Sequence, residues 1–372
     1  MTDRRPATPR VAAGWPTRFL LGLLALLILT HLALATTEAL LRPLFPWDAT
    51  MHWATKARVW FDQASLVPFV HTQDWLEMDS SARVFTDHHP DYPPTVSLLQ
   101  LWIVVALGAW SETLINLPWP LFMLSVALIF YGQARYLGVS TLSAVCFCYF
   151  LLSLPLLGTQ VALAGYADFP MGVCYLAAAL ALLRWTDAGS RRQLLLGVFL
   201  TLMLTQIKNE GFFWALTLIA GLILGQLPRK LALLALLAGV FALLAVLMFL
   251  PGDLMIAGHS LDSLRLRYEQ GSLGMLFLQF AYRTWHLLGL MMLCAAIGVV
   301  FLRGNPVALR TLATMLLLSL GLYLFLFTYT RFSHGAVHLT AAARIGLHLA
   351  PAAVFLAMLV WQRAGDALRY RV

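Results

Sequence analysis

The sequence predicts an all-α, polytopic integral-membrane protein. Three observations lead there. Sixty per cent of its 372 residues are hydrophobic and only 11% are charged. Apolar runs of about 20 residues, the length a helix needs to cross a bilayer core, recur along the whole chain. From the middle of the chain onward, Lys/Arg-rich turns fall at every second loop, as the positive-inside rule requires. A charge at mid-bilayer costs about 2.5–3.5 kcal/mol on insertion scales, so the few charged residues should mark loops, interfaces and a buried site. About ten or eleven membrane segments are expected. They form one membrane domain, 1–372, since no long polar block is present to fold separately.

The net charge of +8 is dispersed over short loops. It has no basic patch interleaved with exposed aromatics, so it reads as cytoplasmic loop charge and not as a nucleic-acid surface. Cys146, Cys148, Cys174 and Cys294 all lie inside apolar runs and read as small core residues, not as a disulfide framework or zinc site. The basic start followed by an apolar run has the look of a signal peptide. The run 19–34 is long, however, and no small-residue cleavage site clearly follows, so a retained first span is expected.

Arg4, Arg5, Arg10 and Arg18 precede that span (17–41) and put the N-terminus in the cytoplasm. The interval 42–92 then lies outside. It holds Asp48, Asp62, Asp74, Glu77, Asp79, Asp87 and Asp91 against Lys56, Arg58 and Arg83, and its aromatic content predicts short helices lying on the membrane. Apolar segments follow at 94–110, 115–135 and 140–160. The polar break Gly165-Tyr166-Ala167-Asp168 comes next. Downstream, Arg191 and Arg192, Arg229 and Lys230, Arg303 and Arg310, and Arg363, Arg369 and Arg371 all fall inside, so the C-terminus is cytoplasmic too. One parity problem remains. Asp48 and Asp168 can share the outer side only if the number of spans between them is even, and three apolar segments intervene. The short, proline-initiated 94–110 is the candidate for a re-entrant or incomplete span.

Five polar groups converge on the outer face of this topology. In Pro46-Trp47-Asp48 through Arg58, helical spacing would put Asp48, His52 and Lys56 on one face. Such a helix reads either as an interfacial anchor capped by Asp48 or as a platform presenting a catalytic carboxylate. Asp87, His88, His89 and Asp91 form the densest set of metal ligands and proton carriers, and Tyr92-Pro93-Pro94 makes a helix entry. Asp168 is either a helix cap or a second acid. Lys208 is either a snorkelling partner of Glu210 or a substrate ligand. The last outer loop holds Arg331, His334, His338, Arg344 and His348, with His334/His338 and Arg344/His348 each four apart. Arg344 opens an apolar run, where a lone guanidinium is costly, so an anionic partner is expected. Arg283 and His286 could meet a lipid headgroup. The mixed-charge loop 258–274 reads as solvated, placed to cover the site.

Trp47-Asp48, His89-Pro90 with Tyr92-Pro93-Pro94, Gly165-Tyr166-Ala167-Asp168 and Lys208-Asn209-Glu210-Gly211 occur in that order. The set resembles the GT-C superfamily of integral-membrane glycosyltransferases, in the branch of the protein O-mannosyltransferases and lipid A aminoarabinose transferases. The resemblance covers roughly the first 215 residues and would make them a catalytic module, with 216–372 as additional spans. It implies a polyprenyl-phosphate sugar donor, a lipid, glycan or protein acceptor, reaction on the non-cytoplasmic face and inversion at the anomeric carbon. The family's first-loop aspartate maps onto Asp48 and a second acidic position onto Asp168. Lys208 corresponds to a lysine-glycine motif, from which Asn209-Glu210 departs. No large outer domain follows, so acceptor recognition would fall to an accessory membrane subunit.

The residue chemistry fits. An acceptor hydroxyl needs a base, here Asp48, and a lipid-phosphate leaving group needs fixed cations. Lys208, Arg344, Arg331 and Lys56 are the candidates for that role. His52, His89, Asp91, Tyr92, Glu210 and His338 would support them. His88, His89, Asp91, His334 and His338 are the ligand types for a divalent metal. Two other readings stay open: a transporter or flippase of a lipid-linked or anionic substrate, and an inactive scaffold of an envelope-glycan assembly. With no retention signal in the sequence, a prokaryotic inner membrane is the expected location.

Overall fold

The computed structural model describes residues 14–79, 83–285, 287–301 and 306–369. Arg4, Arg5, Arg10, Arg303 and Arg371, expected cytoplasmic markers, lie outside the described residues, as does His286. The chain begins with α1 (Trp15–Leu41), a π-helix (Ala49–Ala54), α2 (Thr55–Gln63), α3 (Thr72–Leu76) and the parallel strand pair β1 (Phe69–Val70) and β2 (Phe85–Thr86). It continues through α4 (Thr95–Leu107), a 3-10 turn (Leu114–Asn116), α5 (Pro118–Tyr136), α6 (Thr141–Leu152), α7 (Pro155–Ala162), α8 (Asp168–Ala188), α9 (Arg191–Ile207), α10 (Gly211–Gln226) and α11 (Arg229–Phe249). A hairpin of β3 (Met255–Ile256) and β4 (His259–Ser260) leads into α12 (Leu261–Leu264), α13 (Ser272–Leu278), a second π-turn (Gln279–Arg283) and α14 (Leu287–Phe301). The last elements are α15 (Val307–Tyr329), α16 (Ser333–Val337), α17 (Ala342–Leu347) and α18 (Ala350–Arg369).

This is an all-α polytopic membrane protein. Among the described residues, five helices are long and apolar enough to cross a membrane: α1, Leu114–Tyr136, α8, α11 and α15. The number rises to seven if two bent pairs each count as one span, α6 with α7 (59°) and Ser272–Arg283 with α14 (101°). The expected ten or eleven segments are reached only by adding α4, α9, α10 and α18, which are shorter or more polar.

Helix α4 shows why apolar runs overcount crossings. Its 13 residues span about 20 Å at 1.5 Å per residue, against a hydrocarbon core of about 30 Å. Both of its ends meet the same loop. At its start, the Ser97 hydroxyl donates to the Trp53 carbonyl at 2.7 Å. Just past its end, the Trp110 ring lies 4.9 Å under the Arg58 guanidinium, and the Leu44 N–H donates to the Glu112 carbonyl at 3.1 Å. Helix α4 therefore lies along α2 and returns to the end it left. If bent α6–α7 counts as one span, then it and Leu114–Tyr136 make two crossings between Asp48 and Asp168.

Helix α8 is the centre of the bundle, with 72% of its apolar window buried, against 6% for α1 and α11 at the periphery. In lipid there is little hydrophobic gain in bringing two helices together, so close packing and polar bridges hold them. A buried chain does this in the core: the Tyr175 and Ser319 hydroxyls are 2.8 Å apart and those of Ser319 and Thr217 2.7 Å, tying α8 to α15 and α10.

Candidate active site

The site forms where six helix ends meet. The start of the π-helix delivers Asp48, the start of α8 delivers Asp168, and the α9–α10 turn delivers Lys208 and Glu210. Helix α17 and its C-terminal cap deliver Arg344 and His348, and the approach to α4 delivers Asp91 and Tyr92. Gly165 makes the first junction possible. Its φ of +106° suits glycine, and a Cβ there would overlap the Cβ of Ala49. The Gly165–Asp168 turn can thus press against the first turn of the π-helix, which brings Asp168 near Asp48.

Arg344 joins the two acids. Its Nη1 donates to Asp48 Oδ2 at 2.6 Å, its Nε lies 3.9 Å from Asp168 Oδ2, and its guanidinium stacks 4.9 Å from the Tyr166 ring centre. The buried Nε has no hydrogen-bond partner. Asp168 is 1% exposed and its Oδ1 accepts from Lys208 Nζ and from His348 Nε2, each at 3.0 Å. The Trp214 indole N–H donates to His348 Nδ1 at 2.9 Å. An indole can only donate, so Nδ1 is the acceptor and Nε2 carries the hydrogen that points at Asp168.

Lys208 also lies 3.1 Å from Glu210. Burial pulls the Lys208 ammonium pKa down, but the Asp168 and Glu210 carboxylates outweigh it and hold it above the ordinary lysine range. Burial likewise pushes Glu210 up, and Lys208 brings it back below the usual glutamate range. Lys208 is thus a buried, paired cation and not a snorkelling one. The two helix-cap readings fail as well. Asp48 makes no side-chain cap hydrogen bond, and Asp168 sits inside the first turn of α8 behind Ala167.

Asn209, the departure from the lysine-glycine motif, has a structural use. Its amide donates to Asp91 Oδ2 at 2.6 Å and ties the α9–α10 turn to the approach to α4. Loop 251–271 covers this junction through Gly258 (φ +76°), where a Cβ would overlap the Asn209 amide. Tyr92 is stacked between His89 (4.4 Å) and Trp53 (5.0 Å). Burial pushes its hydroxyl up to about 12.

Several expected site residues lie elsewhere. Asp48, His52 and Lys56 do not share a face, because the π-helix between them follows an i→i+5 pattern in place of i→i+4. His52 and Lys56 instead turn to Asp87. His52 Nδ1 is 2.6 Å from Asp87 Oδ1, and Lys56 Nζ is 3.1 Å from Oδ2 and donates to the His89 carbonyl at 2.8 Å. Burial pushes the Asp87 carboxyl up, but His52, the His89 N–H and Lys56 together hold it well below the usual carboxylate range. Lys56 is only 3% exposed and fully engaged there, so it is not available to a donor phosphate. Arg331 is also outside the cluster, with its guanidinium 2.5 Å from Asp262.

The metal candidates split up. His88 is exposed and joins no ligand group among the described residues. His89 lies 3.8 Å from Asp91, whose other oxygen is taken by Asn209. His334 and His338 lie beside Glu269. The central cluster itself does not suit a divalent cation, since each of its carboxylates is already paired with Arg344 or Lys208.

Trp214 carried no sequence signal, and Asp87 stood out only as part of the Asp87–Asp91 set, not as the partner of His52 and Lys56. His348 carried one, its four-residue spacing from Arg344. Arg344 and His348, from beyond residue 215, pair with Asp48 and Asp168 from before it. No protein-family model matches the chain, and no curated protein or solved structure matches it.

Proposed function

We propose that this chain is a GT-C-type membrane glycosyltransferase. It transfers a sugar from a polyprenyl-phosphate donor to a lipid, glycan or protein acceptor on the non-cytoplasmic face of a prokaryotic inner membrane. The observation that carries this reading is the Asp48–Arg344–Asp168–Lys208 chain of ion pairs, assembled from four distant parts of the sequence at one end of the helices. A bundle that needed only stability would do better with apolar contacts, because burying charge costs more than the pairs return.

Asp48, 30% exposed at its side chain, can reach an incoming hydroxyl. It takes the acceptor proton as the acceptor oxygen attacks the anomeric carbon and the bond from that carbon to the phosphate oxygen breaks. Attack from the face opposite the phosphate inverts the centre. The departing phosphate gathers charge beside Arg344, whose remaining N–H groups suit two-point phosphate contact. Asp168, itself fixed by His348 and Lys208, faces that arginine from its other side. An apolar cavity of about 300 Å³ supports a lipid donor. It lies between α14, α15 and α18, lined by Leu288, Met292, Leu316, Tyr323 and Ala353 among others, and reaches Gly346, two residues from Arg344.

The test is sugar transfer in proteoliposomes containing wild type or Asp48→Asn, with radiolabelled polyprenyl-phosphate sugars and a crude acceptor extract. Transfer by wild type and a loss of at least about 100-fold in the variant is the expected result, the scale of a general base. Absence of transfer by wild type across the donor panel would count against the enzyme. It would favour a transporter of a lipid-linked substrate, a reading to which the two bent helix pairs also lend themselves.

A further inference from the structure

A second constellation of reactive side chains shares no residue with the Asp48–Asp168 cluster. Glu269 lies just before α13. His334 lies in α16, and His338 caps its C-terminus. One ligand atom from each of the three falls within 4.8 Å of the others. The imidazole ring centres are 4.0 Å apart, and His334 Nδ1 is 3.9 Å from Glu269 Oε1. Zinc bonds of about 2.0–2.2 Å require ligand atoms roughly 3.3–3.6 Å apart, so rotamer-scale movement closes the triangle. The other Glu269 oxygen, Oε2, lies 3.1 Å from the buried Ser333 hydroxyl. This contact orients the carboxylate and leaves Oε1 facing the imidazoles, the kind of outer hydrogen bond that supports metal ligands.

We infer that Glu269, His334 and His338 bind a divalent cation of the zinc class. Two imidazoles with one carboxylate favour zinc, cobalt or nickel over magnesium or calcium, which take oxygen ligands. The local charges permit it. Of the two arginines that border the adjoining cavity, Arg267 and Arg331, the latter is turned to Asp262, and the bound ion meets one carboxylate and two imidazoles. Three protein ligands leave a coordination position open. Glu269 and His334 border a cavity of about 560 Å³ that also touches Arg267, Gln270 and Arg331, with room for water or a small anion to fill that position. The ion would also act as a brace. It pins α16 to the chain before α13, next to Leu339, a non-glycine residue held at a φ of +58°. From there the chain runs directly into α17 and Arg344.

The test uses the full chain in lipid nanodiscs, with any polyhistidine tag removed. Cobalt(II) is titrated and its visible absorption bands recorded, followed by displacement with zinc. One zinc-displaceable cobalt per chain is expected. Glu269→Gln, His334→Ala and His338→Ala should each weaken binding by at least about 100-fold, beyond the 10- to 100-fold typical of losing an outer partner. His88→Ala should bind as wild type does. The two histidines are exposed and Glu269 is half-buried, so removing them opens no core cavity, and size exclusion with a melting profile verifies each variant. A wild type without cobalt bands overturns the inference. So do bands that persist in both histidine variants, and equal loss in His88→Ala, which moves the site to His88–Asp91.

Discussion

Replacing Asp48 with asparagine should separate catalysis from donor binding, and in an unusual direction. In the free protein Arg344 is held by Asp48 at 2.6 Å, so a donor phosphate must compete with that carboxylate for the guanidinium. A hydrogen bond to a charged group contributes about 1.5–3 kcal/mol. The lower end applies here, because the Arg344 and Asp48 side chains are 25% and 30% exposed and solvent screens the pair. Removing the charge should thus release about 1.5 kcal/mol, or roughly tenfold in donor affinity. Arg344 keeps its position through Asp168 and the Tyr166 ring. Equilibrium binding of a tritiated polyprenyl-phosphate sugar to nanodiscs should therefore be about tenfold tighter for Asp48→Asn. Single-turnover transfer should fall by about 10²–10⁴, the range of a lost general base. Weaker donor binding would mean that Asp48 helps hold the donor rather than competing with it. Transfer within tenfold of wild type would remove Asp48 as the base. Either result refutes the scheme.

Three further outcomes follow from the same contacts. Asp168→Asn should destabilise the protein in a nanodisc melt by about 3–5 kcal/mol, because Lys208 and His348 lose a fully buried partner; Lys208→Met added to it should recover much of that loss, and strict additivity would sink the coupling. Asp87 has a carboxyl pKa depressed by folding, so its stabilisation is present above the unfolded value of about 3.9 and fades as pH falls below it. The stability gap between wild type and Asp87→Asn should thus stay flat from pH 5 to 8 and narrow below pH 4, and a gap that widens with acid would contradict the assignment. Ala353→Phe, which fills the apolar cavity, should raise KM at least about tenfold for a long-chain donor and leave a two-isoprenoid analogue unaffected; equal effects on both would remove the cavity from lipid binding.

The helical class was legible because apolar runs of bilayer length have few other uses. What each run does was less so. Helices α1, α8 and α11 are all apolar enough to cross a membrane, yet one is the core and two face outward, since lipid and protein interior offer nearly the same solvent to an apolar side chain. The α4 segment was singled out by parity, shortness and its opening prolines, and both of its ends lie on the Trp53–Trp110 surface. At the site, the residue types were legible and the pairings only in part. The cost of a lone guanidinium implied an anion near Arg344, and the structure supplies Asp48, 296 positions away. The shared face of Asp48, His52 and Lys56 was lost because a π-helix has no compositional signature comparable to the i,i+4 pattern of an α-helix.

The pairing that emerged constrains the chemistry more tightly than the expected one. A helix presenting Asp48 with His52 and Lys56 would have placed base, imidazole and cation on a single rigid element, with nothing to couple the base to the arrival of donor. In the structure Asp48, the base of the proposed mechanism, is held by the same arginine that would receive the phosphate, and His52 and Lys56 are committed to Asp87 instead. Three carboxylates (Asp48, Asp168, Glu210) face two cations (Arg344, Lys208), so net charge does not attract a phosphate to this centre. Binding must come from exchange at Arg344. In the proposed mechanism this exchange would free Asp48 only once the leaving group is in place, which would keep an unpaired base from existing without a donor beside it.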